Sequence, residues 1–268
     1  MTDTEYIRAL ASALTRQEDV LDAEARDILY EFALRIYALL LRDFPTSRFE
    51  RYRVWPQFRA QILIWLQELN DVLAPLVLSR VIATEAQLQA IHAELFTTPP
   101  LAPRATTTVL DTTRVLGTPL SELFTPSATG VTPFALQLLR LIERSVYGLI
   151  FQEAPTAEIA RRMIEIRTRA GREEPVPRKG TVANAWRERL RAVTAALLWG
   201  LVSPTAQRYA LEAQDAELRW RWNAVLDPRT CPICRPLHNT MAPDPDAFPR
   251  GAPPLHPLCR CAVIPIAN

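Results

Sequence analysis

All four cysteines of the 268-residue chain lie in its last 38 residues, Cys231 and Cys234 as a Cys-x2-Cys pair, Cys259 and Cys261 within His256-Pro257-Leu258-Cys259-Arg260-Cys261. Two of the three histidines, His238 and His256, fall in the same stretch. Cysteines that only packed a core would be scattered along the chain. A Cys-x2-Cys turn holds two sulfurs one ligand bite apart, with the following amides free to donate to them, and a second pair roughly twenty residues later can close a tetrahedral site. Five ligands are on offer for four positions: Cys231, Cys234, His256, Cys259 and Cys261. The expectation is a structural zinc ion on Cys231 and Cys234 plus two of the other three. On an extended strand Cys259 and Cys261 point to the same side, so both can reach one ion. Other chemistries stay open: a disulfide under oxidising conditions, a thiol nucleophile at Cys231 beside His256, or metal-free packing.

The elements that must position these side chains change character along the chain. At Leu218 the apolar period drops to 2, with Leu218, Trp220, Trp222 and Ala224 alternating with Arg219, Arg221 and Asn223, the pattern of a strand with one buried face. A second strand is expected over 261–266, so 217–268 forms a β-module. Everything before it is helical in pattern except 97–133, where 37 residues carry eleven threonines and six prolines. That segment is expected to be a linker or extended arm. Its apolar residues, among them Leu110, Val115, Leu116, Leu120, Leu123 and Phe124, suit an arm lying on a surface.

Residues 1–96 are expected to form a helical bundle, on the spacing of Ala25, Leu29, Phe32, Ile36 and Leu39 and of a further pattern from Phe58 onward. Pro56 and Pro75 mark starts, kinks or breaks in it. Residues 134–216 are expected to be a helical domain, including a helix that opens at Thr156 as N-cap and carries Ile159, Met163 and Ile166. The fold class is therefore mainly α, a helical body with a small C-terminal β-containing Cys/His module.

Composition excludes several classes. The chain is 49% hydrophobic and 22% charged, which rules out wholesale disorder. Apolar stretches such as 192–202 fall short of the roughly 20 residues that span a bilayer, so no membrane span is expected. Met1-Thr2-Asp3-Thr4-Glu5 has neither the basic segment nor the apolar run of a signal peptide, so the protein is expected to stay in the cell that makes it. Seven glycines leave little room for a phosphate loop. No nucleophile elbow accompanies a histidine; His92 is expected to be a surface or helix-face residue, and Asp244 and Asp246 turn residues. No enzymatic activity is expected.

The net charge of +2 is unevenly distributed. Residues 1–31 carry eight acids against three arginines, a balance of −5, whereas 161–191 carry ten bases against four acids, a balance of +6. Arg161, Arg162, Arg167, Arg169, Arg172, Arg178 and Lys179 are the candidate contacts to an acidic partner or a phosphate backbone. No residue pattern here reads bases, so such contact is expected to be independent of sequence and sensitive to salt.

The order Asp227-Pro228-Arg229-Thr230-Cys231-Pro232-Ile233-Cys234, then Leu237, then Pro253-Pro254-Leu255-His256-Pro257-Leu258-Cys259-Arg260-Cys261 resembles the C-terminal signature of the phage Mu F-like head morphogenesis proteins. These are minor capsid proteins encoded beside the portal. The aromatic strand and the helix around Ile159-Ala160-Arg161-Arg162 are similar to that family as well, so the resemblance covers about 134–264 and is tightest from Asp227 onward. It departs after Leu237, where His238-Asn239 stand in place of a small or acidic residue and a glycine. The resemblance implies a structural virion component made in the host cytoplasm that joins the portal and other capsid components and contacts packaged DNA. It gives Asp227, Arg229 and Arg260 a supporting role in the module. A zinc-stabilised, non-sequence-specific nucleic-acid-binding protein is the alternative from another class.

Overall fold

A computed structural model describes residues 3–96, 101, 114–115, 118–128, 130–169, 172–176, 178–212, 218–226, 230–256 and 259–266. Two long helices come first, α1 (Asp3–Asp43) and α2 (Arg48–Phe96). Their buried positions recur every three or four residues: Leu29, Phe32, Ile36 and Leu40 on α1, Ile62, Leu66, Leu69, Leu73 and Val77 on α2. Such a stripe makes a helix stable by tertiary packing. Pro56 and Pro75 both lie inside α2 and do not end it, because packing outweighs the one backbone hydrogen bond each removes. By length and composition alone α2 is apolar enough to cross a membrane, which the expectation from shorter apolar stretches did not foresee. Its Asn70, Thr84, Gln89 and His92 are nevertheless buried against protein.

After α2 come a short hairpin, β1 (Arg114–Val115) with β2 (Thr118–Pro119), and α3 (Leu120–Phe124). Within the expected arm, residues 97–100, 102–113, 116–117 and 129 lie outside the described residues. Leu123 is buried, and the Phe124 ring packs against Phe134 at 5.1 Å. Helix α4 (Pro133–Phe151) starts at Thr132, whose hydroxyl accepts from the Ala135 N–H and donates to Asn70 Oδ1.

Helix α5 (Thr156–Arg161) is shorter than the sequence pattern suggested, and Pro155, not Thr156, is its cap residue. The Thr156 hydroxyl faces Pro45 O and the Arg51 guanidinium instead. The chain then becomes an antiparallel hairpin, β3 (Glu165–Arg169) with β4 (Arg172–Val176). The backbone carbonyls of Arg162 and Met163 accept from Val182 and Ala183 N–H, which stops α5 and fixes the start of α6 (Val182–Gly200). Helix α7 (Val202–Glu212) follows. The chain ends in a three-stranded antiparallel sheet, ordered β6 (Met241–Ala242), β5 (Arg219–Ala224), β7 (Cys261–Ile266).

The chain divides into two compact units, each discontinuous in sequence. One comprises 1–21, 77–121 and 191–268 and holds the C-terminal sheet. In its core the His92 ring is fully buried, with Nδ1 donating to Leu88 O at 2.6 Å and Nε2 accepting from the Tyr6 hydroxyl at 2.8 Å. His92 is thus a core residue, contrary to the surface or helix-face expectation; its two polar partners on α1 and its own helix make burial affordable. The other unit comprises 22–76 and 122–190. There the Arg51 guanidinium, 1% exposed, donates to Pro45 O, Ala154 O and Thr156 Oγ1 and ties the α1–α2 turn to the end of α4.

Candidate metal centre and basic cleft

The Cys/His module is built on the sheet. Trp220, Trp222 and Ala224 of β5 are buried as their alternation predicts, and Trp222 packs edge-on against Phe248 at 5.5 Å. The register sets Ala224 opposite Cys261 and Trp222 opposite Val263, so β7 delivers Cys261 to the end of the tryptophan strand. Val263 N–H donates to the Ser203 hydroxyl of α7. Cys231 and Cys234 sit on a tight turn that continues into a 3-10 turn at Arg235–Leu237, and Cys234 N–H donates to Cys231 Sγ at 3.2 Å. The His238 ring accepts from Ala224 N–H, which joins that turn to β5.

Two donor triads result, Cys231–Cys234–His256 and Cys234–Cys259–Cys261, with the ligand atoms in each within 4.8 Å of one another. Cys234 belongs to both. His256 Nε2 lies 2.9 Å from Cys231 Sγ and 3.1 Å from Cys234 Sγ, and Cys234 Sγ lies 3.9 Å from Cys259 Sγ. Sulfurs bound tetrahedrally to one zinc ion are about 3.8 Å apart. A cavity bordered by Cys231, Cys234, His256 and Cys261 measures about 10 Å³, the size of a single small occupant. All four cysteines are free thiols in this arrangement.

The electrostatics of the cluster are those of donors without a cation. Hydrogen bonding from Cys261, against the opposing effect of burial, brings the Cys259 thiol down to about 5. Burial, then the hydrogen bond with Cys231 and the charge of Cys259, push Cys234 up to about 12. The hydrogen bond to Cys259, with burial, raises Cys261 further. Crowded sulfurs share protons in this way, and a divalent ion would hold several of them as thiolates together. The residues fit a metal with sulfur and nitrogen preferences.

The seven basic candidates between 161 and 179 do not act as one group. Arg161, Arg162, Arg178 and Lys179 are exposed around a cleft of about 330 Å³ whose wall also includes Tyr37 of α1. Glu165 is engaged by Arg167 at 2.7 Å and Arg178 at 3.0 Å, which holds its carboxyl below the usual range, the Arg167 hydrogen bond being the main cause. Arg167 therefore belongs to the hairpin's own ion pairs. The side chains of Arg169 and Arg172 lie outside the described residues.

Residues 157–264 match the family described as Phage Mu protein F like protein. This segment of the chain is similar to the Mu F-like family. No curated protein and no solved structure matches the chain.

The F-like segment contains all five candidate ligands, the α5–β3–β4 region and the sheet. Asp227 and Arg229 of its signature lie outside the described residues. The main chain of Arg260 accepts from Val225 N–H and ties the strand ends together. Tyr37, which precedes the F-like segment by more than a hundred residues, had no local signal; its place beside the cleft comes from tertiary packing.

Proposed function

We propose that the chain is a head morphogenesis protein of a tailed phage or phage-like particle, a structural component that joins the portal vertex and contacts packaged DNA through its backbone. The observation that carries this reading is the Mu F-like match over 157–264, which takes in both the cysteine signature and the basic residues of the cleft. The module is held closed by one structural zinc ion. Thiolate and imidazole donors select zinc over magnesium or calcium. Cys231, Cys234, His256 and Cys259 are the preferred ligands, with Cys261 donating to the Cys259 sulfur as an outer partner. The ion supplies folding energy, and the cavity beside it is too small for a substrate.

The test is co-expression of the full chain with the portal protein of the same genome. A stable complex that co-purifies through gel filtration, together with presence of the chain in purified heads, supports the reading. A chain absent from heads and indifferent to portal would overturn it. The basic cleft also supports the second reading, a zinc-stabilised nucleic-acid-binding protein that acts alone. That reading predicts salt-dependent DNA binding with no portal requirement.

A further inference from the structure

The cleft beside α6 is more specific than a run of basic residues. Arg161 and Arg162 come from the end of α5, and Arg178 and Lys179 from the turn before α6. The two backbone segments are locked together by Val182 N–H to Arg162 O at 2.8 Å and Ala183 N–H to Met163 O at 2.9 Å. Gly180, at φ +95°, makes the turn into α6 that a residue with a side chain rarely adopts, and Thr181 caps the helix by accepting from Asn184 N–H. The cations are therefore presented by a fixed frame.

Their charge is not neutralised from within. The side chains of Arg161, Arg162 and Lys179 have no ion pair or hydrogen bond among the described residues, while Glu165 is already held by Arg167 and Arg178. Glu158 is the remaining acid at the rim. Uncompensated cations converging on a concavity concentrate positive potential there. Guanidinium forks match the oxygens of a phosphate. A space of about 330 Å³ accepts one nucleotide-sized unit and not the width of a duplex, and the Tyr37 ring adds an aromatic wall of the kind that lies against a sugar or base.

We propose that this cleft seats the phosphodiester backbone of a nucleic-acid strand, with Arg161, Arg162 and Lys179 on the phosphate oxygens. The inference rests on the DNA contact in the proposed function and names where it occurs. The probes are labelled single-stranded and duplex oligonucleotides of unrelated sequences, with a mononucleotide and inorganic phosphate as competitors, all with the full chain. The cleft variant is Arg161→Ala/Arg162→Ala/Lys179→Ala. A control, Arg53→Ala/Arg140→Ala/Arg144→Ala, removes three exposed arginines outside the cleft. Losing three phosphate contacts should lower the slope of log affinity against log salt by about 2 to 3, and weaken binding at about 50 mM salt by roughly tenfold or more, alike for every sequence. The charge-preserving variant Arg161→Lys/Arg162→Lys/Lys179→Arg and the control should both keep the wild-type slope.

If wild type binds oligonucleotides and the cleft variant keeps its slope and affinity, the cleft assignment fails and DNA contact lies elsewhere. If wild type binds no oligonucleotide at low salt, the DNA reading itself fails and the cleft with it. If the mononucleotide or inorganic phosphate binds as tightly as the oligonucleotides, the ligand is a small phosphate compound and the strand assignment is overturned.

Discussion

Single side chains carry the sharpest consequences. Cys259 sits 3.9 Å from Cys234 and is the thiol most drawn toward the thiolate, so Cys259→Ser should release the metal and lower the melting temperature, whereas Cys261→Ser should retain the metal. Elemental analysis and thermal unfolding of the two variants check this. Arg51 is buried and donates to three oxygens; Arg51→Ala strands the Ala154 carbonyl, leaves Pro45 O with the Thr156 hydroxyl alone, and should cost about 2 to 3 kcal/mol in denaturant unfolding. His92 gives a pH dependence. Burial lowers its pKa from 6.5 to about 4, so the folded chain keeps the ring neutral where the unfolded chain protonates it. Its contribution is present above about pH 6.5 and is lost as pH falls through about 4, an effect of about 3 kcal/mol. Unfolding free energy measured from pH 7 to 4 should fall in wild type and fall less in His92→Gln. The grouping of the cysteines with His256 was legible because their spacing is local in sequence. The burial of His92 was not, because its partner Tyr6 lies 86 residues away.

At the scale of elements, the strands at 219–224 and 261–266 were legible from strict alternation and from an apolar run next to the cysteines. The hairpin of β3 and β4 was not, since Ile159, Met163 and Ile166 fit a helical stripe as well as they fit a helix followed by a strand. What decides it is the capture of the Arg162 and Met163 carbonyls by α6, a tertiary contact. Pro56 and Pro75 misled in the same way, as local breakers inside a helix that packing sustains. Caps, by contrast, act locally. The Thr132 hydroxyl serves the first turn of α4 and also Asn70, so Thr132→Ala should destabilise the chain by about 1 to 2 kcal/mol, measured by denaturant unfolding, with DNA binding unchanged.

For the whole molecule, the expectation of a mainly helical body with a small C-terminal Cys/His module agrees with the structure, and the Mu F-like match covers the part of that body from α5 to α7 together with the module itself. The long helices that precede it were legible as helices, but their division between two discontinuous units was not, because each unit is assembled from segments far apart in the chain. If the module is metal-closed, chelation should act on the first of those units, where the sheet and cysteines lie, and lower its unfolding temperature reversibly on re-addition of zinc. The central claim is tested most directly by metal content and thiol reactivity of the purified, reduced full chain, before and after chelation. The account predicts about one zinc per chain and cysteines that resist thiol reagents until the metal is removed. A metal-free protein whose four thiols titrate freely from the start would contradict it.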